Sequence, residues 1–167
     1  MKGRAGRDLT VLMVCTGNIC RSPTAEGVLR QRLQALGLAE QVVVDSAGIE
    51  GWHAGEAPDR RSQAHASRRG YDLSDQRARA VQVLDFEQAD LILAMDRSHL
   101  RALQQRCPAP HQHKLALLLD YAPGLAGKDV PDPYYGGAEG FEQVLDLVES
   151  ACEPLAARLA RRLAEAP

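Results

Sequence analysis

The stretch Val11-Leu12-Met13-Val14-Cys15-Thr16-Gly17-Asn18-Ile19-Cys20-Arg21-Ser22-Pro23-Thr24 constrains this chain more than any other. The apolar run Leu9–Val14 reads as a buried strand, and Pro23 opens a helical pattern with Ser22 as the expected N-cap. Between strand and helix lies a short loop that starts with a thiol and ends with a guanidinium. The free N–H groups of a helix start point into such a loop, which suits it to a tetrahedral dianion. Arg21 can grip two oxygens at once, as a lysine could not. Cys15 is the candidate nucleophile, because a helix N-terminus and an adjacent cation favour the reactive thiolate form of cysteine. Gly17 permits close backbone approach and Asn18 tolerates positive φ. Ser22 can donate a hydrogen bond to the Cys15 sulfur, and Thr16, Ile19 and Cys20 complete the loop.

The chain continues as strands alternating with helices. Ala25, Leu29, Leu33 and Leu36 fall at helical spacing up to Gly37, and Gln41–Ser46 is a short β-branched strand. Ala47–Gly55, with Trp52, reads as a loop; a helix is expected from Pro58 to about Arg69, and a short one over Val83–Gln88. Ala89–Met95 is a third strand, Asp96–Gln105 a helix ending before Pro108, and Lys114–Leu119 a fourth strand. Asp120–Gly137 is rich in Pro and Gly and too long for a plain connector, which marks it as functional. The stripe Phe141, Leu145, Val148, Cys152, Leu155, Leu159, Leu163 predicts a final helix that Pro154 should kink or restart. This alternation predicts an α/β fold with a four-stranded parallel sheet flanked by helices on both faces. The 167 residues form one domain by length, with a loose start over residues 1–8. Ligands of such sheets sit beyond the carboxyl ends of the strands, where the Cys15 loop falls.

Composition removes several function classes. A net charge of −2 argues against a nucleic-acid binder, so any anion site must be local to the loop. No apolar run approaches the roughly 20 residues of a membrane span, and the run after the basic start is too short for a signal peptide. The four cysteines, at 15, 20, 107 and 152, are too sparse for a disulfide scaffold and fit a reducing cytoplasm. Cys15 and Cys20 have poor spacing for zinc, and Arg21 would repel the ion, so no metal and no cofactor are expected. His111-Gln112-His113 reads as a lead-in to the fourth strand, and Cys107 and Cys152 as structural.

Val14–Pro23 resembles the signature of the low-molecular-weight protein tyrosine phosphatases almost in full. The likeness continues in Asp45-Ser46-Ala47-Gly48, Trp52-His53, Ala94-Met95-Asp96 and Asp132-Pro133-Tyr134-Tyr135-Gly136, and so spans nearly the whole chain. It implies the same four-stranded parallel fold and a general acid at Asp132. On its own, Asp132 precedes Pro133, which holds it extended in a loop with no other reason to be long; Asp129 is the fallback. Trp52, Tyr134 and Tyr135, from a chain with one Trp, four Tyr and two Phe, supply walls for a flat ring beside Ile19. By resemblance, Asn18 and Ser46 hold the loop in shape, and Gln76 stands where the family commonly has a histidine. Asp96 matches a position near the loop, Cys20 a second cysteine able to pair reversibly with Cys15, and the tyrosines are positions that can be phosphorylated.

The expected function is hydrolysis of phosphotyrosine, and of small aryl phosphates, through a phosphocysteine intermediate. Partners would be a phosphotyrosine protein and a cognate tyrosine kinase, the protein a monomer or weak dimer. Phosphoarginine is the alternative substrate, disfavoured by Ile19 and by Tyr134-Tyr135. A thiol-dependent arsenate reductase shares the loop but needs two relay cysteines close together, and a non-catalytic phosphate-binding module would need neither nucleophile nor acid.

Overall fold

The computed structural model describes residues 8–165, so the loose start expected for residues 1–8 lies, Asp8 apart, outside the described residues. Among these, four parallel strands, β1 (Leu9–Cys15), β2 (Val42–Gly48), β3 (Leu91–Ala94) and β4 (Leu115–Leu117), form one sheet in the order β2-β1-β3-β4. Central β1 is buried along its whole length, which explains why it reads as a continuous apolar run and not as an alternation. Its residues still alternate between layers: Val11, Met13 and Cys15 pack on one face, Leu12 and Val14 on the other. The first face is covered by helices α1 (Arg21–Ala35), α2 (Arg60–Arg68) and α5 (Ala138–Glu165), through Leu29, Ala66 and Val148 among others. Helices α3 (Val83–Gln88) and α4 (Arg97–Arg106) cover the second through Phe86 and Leu103. The chain leaves β1 towards β2 on one side and returns to β3 on the other. The carboxyl end of β1 is therefore the topological switch point, and the Cys15 loop emerges from it.

Several local expectations need correction. Ser22 does not cap α1: the helix begins at Arg21 with Cys20 at the N-cap position, and Pro23 sits harmlessly in the first turn. Pro58 precedes α2, whose cap is Asp59, accepting from the Arg61 and Ser62 amides. The fourth strand stops at Leu117 because Leu118 and Leu119 both turn into the first core layer, which a strand cannot do with consecutive residues; a 3-10 turn carries them. His111–His113 lie within another 3-10 turn, Ala109–Lys114, leading into β4. Helix α5 does not restart at Pro154 but runs through it, with Ala151, Cys152, Leu155 and Ala156 buried on either side. That burial offsets the roughly 3 kcal/mol that an interior proline costs a helix.

Candidate active site

The loop between β1 and α1 is held by its neighbours on three sides. Register pairing places Cys15 opposite Gly48, and the chain beyond β2 continues the ladder, with the Ile49 amide donating to Cys15 O at 2.9 Å and the Glu50 amide to Thr16 O at 2.9 Å. Gly48 is required there: a Cβ would stand 2.8 Å from Thr16 O and 2.9 Å from Glu50 O. The Asp59 amide donates to Ile19 O at 2.8 Å, tying the far side of the loop to the start of α2. At the tip, Asn18 takes a positive φ of 61°, as its sequence position predicts.

Asn18 is also the hub of the support beneath Cys15. Its Nδ2 donates to Ser22 Oγ and Ser46 Oγ, each at 2.9 Å, and its Oδ1 accepts from the Arg79 amide at 3.0 Å. Because Ser22 Oγ accepts from Asn18, its own proton is free for Cys15 Sγ, 3.0 Å away. Ser46 in turn donates to Glu26 Oε1 at 2.7 Å, with Gln76 Oε1 at 3.4 Å as the longer alternative. Gln76 also donates from Nε2 to Pro23 O at 3.0 Å, so it sits inside this network. Glu26 was not legible as a site residue, although it lies one helical turn from Ser22. Burial raises its carboxyl to about 7 against the pull of Arg30, whose Nη2 is 2.5 Å away.

A second set of contacts fixes the guanidinium. Arg21, 4% exposed, donates from Nη1 to Asp96 Oδ2 at 2.8 Å and to Val130 O at 3.0 Å. Its Nη2 faces Thr16 Oγ1 at 3.5 Å, His99 Nε2 at 3.4 Å and Asp132 Oδ2 at 3.8 Å. Asp96 holds α4 as well as Arg21, because its Oδ1 accepts the His99 amide and caps that helix. Burial opposes its charge, but the Ser98 hydroxyl, the His99 amide and Arg21 outweigh that and hold the carboxyl below its ordinary value.

The aspartates of the long loop separate cleanly. Asp132 lies at the cleft mouth, half-exposed, its Oδ1 accepting the Tyr134 amide at 3.0 Å and its Oδ2 turned towards Arg21. Asp129 instead points at Arg97, which donates from backbone N at 2.9 Å, Nε at 3.1 Å and Nη2 at 3.1 Å. The Arg97 bonds hold its carboxyl below the usual range, in the ionised form that cannot donate a proton. The fallback is therefore set aside.

Cys15, Thr16, Gly17, Ile19, Cys20, Arg21, Trp52, Asp132, Tyr134 and Tyr135 line one cleft of about 180 Å³ together with His53. The predicted loop, acid and aromatic walls are brought together in it; Ser22, Asn18 and Ser46 lie behind it. Trp52 and Tyr135 are 70% and 92% exposed and form the rim, with the Tyr134 and Tyr135 rings edge to face at 5.0 Å. His53, absent from the predicted walls, lies over Gly17 so closely that a Cβ there would come within 2.8 Å of its Cδ2. Arg61 ties the acid loop to α2, donating to Tyr134 O at 2.9 Å while paired with Asp59. Burial pushes the Cys20 thiol up to about 12, so it stays protonated beside Cys15. All four cysteines are free thiols. Cys107 and Cys152 belong to opposite core layers and neither reaches the cleft, which leaves no relay for arsenate chemistry.

A family model described as low molecular weight phosphotyrosine protein phosphatase matches residues 10–165. The low molecular weight protein-tyrosine-phosphatase of Streptomyces coelicolor is 49% identical over 150 residues, covering 88% of this chain and 91% of that protein. A protein tyrosine phosphatase from Entamoeba histolytica, solved with Hepes in its active site, has a TM-score of 0.89 at 39% identity, covering 92% of this chain and 98% of that one. Vibrio vulnificus Wzb, solved in complex with benzylphosphonate, has a TM-score of 0.79 at 31% identity, covering 92% and 99% respectively.

Proposed function

The chain belongs to the low-molecular-weight phosphotyrosine protein phosphatase family, and on that footing we propose that it hydrolyses phosphotyrosine in proteins, and small aryl phosphates, with Cys15 as nucleophile. The observation that carries the reading is the convergence of Cys15, Arg21 and Asp132 on one aromatic-rimmed cleft. Cys15 Sγ attacks phosphorus in line; the S–P bond forms as the P–O bond to the ring breaks, and protonated Asp132 gives its proton to the departing oxygen. Arg21 and the helix start bear the charge that spreads over the phosphoryl oxygens, work that needs no metal ion. Asp132, now a carboxylate, takes a proton from water; the new O–P bond forms, the S–P bond breaks, and Ser22 Oγ–H stabilises the returning thiolate.

Phosphotyrosine is favoured over phosphoarginine because Ile19, Trp52, Tyr134 and Tyr135 offer an apolar, flat-walled approach. The benzylphosphonate held by the Vibrio vulnificus relative is chemistry of the same shape. A cognate tyrosine kinase, a monomer or weak dimer, and a cytoplasmic setting complete the proposal. Free thiols support the setting, and among the described residues no helix is long and apolar enough to cross a membrane.

Purified protein is expected to hydrolyse p-nitrophenyl phosphate in the presence of EDTA. Cys15→Ser should abolish turnover, and Asp132→Asn should slow it by about 10²- to 10⁴-fold, most for poor leaving groups. Turnover that survives Cys15→Ser, or that EDTA removes, would sink the mechanism.

A further inference from the structure

We propose that His99 is a positioning residue for Arg21: its Nε2 lone pair, turned towards Thr16 Oγ1 and Arg21 Nη2, keeps the guanidinium in the plane that grips phosphate. The inference rests on the phosphatase reading of the cleft. Arg21 is anchored through Nη1 by Asp96 Oδ2 and Val130 O, and a planar group held at one end can still swing about it. A second anchor at Nη2 stops the swing. Thr16 Oγ1 lies 2.7 Å from His99 Nε2 and 3.5 Å from Arg21 Nη2, and Nη2 lies 3.4 Å from Nε2, so the three atoms close a triangle under the cleft floor.

Arg21 can only donate, so its contact with Nε2 at 3.4 Å assigns Nε2 the accepting role in this proposal and the single ring proton to Nδ1. Nδ1 lies 3.2 Å from Asp96 Oδ1 but out of line with it, and has no hydrogen bond although His99 is 3% exposed. A residue that merely filled this space would not bring a buried, unsatisfied donor with it. Asp96 aims the ring, because its Oδ1 accepts the His99 amide at the first turn of α4. A neutral acceptor also suits the position better than a further carboxylate, because Asp96 already pairs with the guanidinium at 2.8 Å and Asp132 stands 3.8 Å from it. The charged groups facing His99 are Arg21, Asp96, Asp132 and Asp129; burial and then Arg21 outweigh the three carboxylates and push the ring down to about 4. His99 therefore stays neutral across the range in which a phosphatase works.

The test compares His99→Gln with His99→Asn in the full chain. Glutamine can place Oε1 near the position of Nε2, whereas asparagine is too short and reaches only the position of Nδ1. Asparagine should lower kcat/KM for p-nitrophenyl phosphate by about 10- to 100-fold and weaken orthophosphate inhibition comparably, while glutamine stays within roughly threefold of wild type on both. The loss should be equal for good and poor leaving groups, unlike that of Asp132→Asn. His99→Ala should match asparagine if it folds, and the pair decides the question if it does not. Wild-type protein without phosphatase activity would overturn the reading of the cleft itself. Active wild type, with the glutamine and asparagine variants alike, overturns the role of His99 alone.

Discussion

Replacing Glu26 with glutamine should change how stability depends on pH, in a direction the structure fixes. Glu26 is 3% exposed, donates nothing as a carboxylate, accepts Ser46 Oγ–H at 2.7 Å and faces Arg30 at 2.5 Å. Burial outweighs Arg30 and raises its carboxyl from 4.5 to about 7. A raised carboxylic acid favours the fold while protonated, so its contribution is complete below about pH 4.5 and is lost as pH rises through about 7. At 1.36 kcal/mol per pH unit the loss is about 3 kcal/mol, an upper figure because the partly solvated Arg30 can follow the charge. In Glu26→Gln the Ser46 bond survives and nothing titrates; Arg30, half-exposed, turns to water at a cost of about 0–1 kcal/mol. The variant should therefore equal wild type or fall slightly below it near pH 4.5, and exceed it by about 1–3 kcal/mol near pH 8. Urea unfolding at half-unit pH steps gives the difference directly, since groups remote from Glu26 cancel between the two proteins. A difference flat across this window, or one that favours wild type as pH rises, would refute the reasoning.

Two further outcomes follow from the geometry. Asp129→Asn, with its carboxylate committed to exposed Arg97, should leave kcat within about threefold of wild type and stability within about 1 kcal/mol, measured by steady-state kinetics and urea unfolding. Gly48→Ala drives a Cβ to 2.8 Å from Thr16 O and 2.9 Å from Glu50 O; both are backbone atoms, so the loop must shift. Activity should fall by at least about tenfold while Tm drops by several degrees, and an unchanged kcat/KM would show that the loop tolerates displacement.

The loop, its strand and its helix were legible because each local signal agrees: an apolar run, a thiol, residues fit for unusual backbone angles, then proline. Asp132 could be picked out as a candidate because a proline and an unexplained loop length mark it, and the structure sets it at the cleft. What stayed hidden was support. Glu26 reads as one more acid on a helix, and only the sheet brings Ser46 to it from a residue 20 positions away. His99 lies 83 residues from Thr16, and no spacing rule couples them. The end of the fourth strand was misplaced because Leu118 and Leu119 continue its apolar run, and apolar runs do not say which layer each side chain enters. Arg61 was invisible for a related reason, since a surface arginine acquires meaning only when Tyr134 O comes within 2.9 Å of it.

The order of the strands explains why these supports exist at all. Central β1 has a strand on each side, so the loop that follows it is flanked by the carboxyl ends of both β2 and β3. Each end holds a different function. From β2 come Gly48, paired with Cys15, and Ser46, which with Asn18 and Glu26 holds Ser22 beside Cys15. From the start of α4, just after β3, come Asp96 and His99, which hold the Arg21 guanidinium. The two networks hold opposite sides of the same loop, residues 15–22. An edge strand would offer the loop a neighbour on one side only, and one of the two groups would have to be held by solvent-exposed side chains. Placing the loop at the switch point lets both Cys15 and Arg21 be buried and fully supported while the cleft above them stays open to a phosphorylated ring.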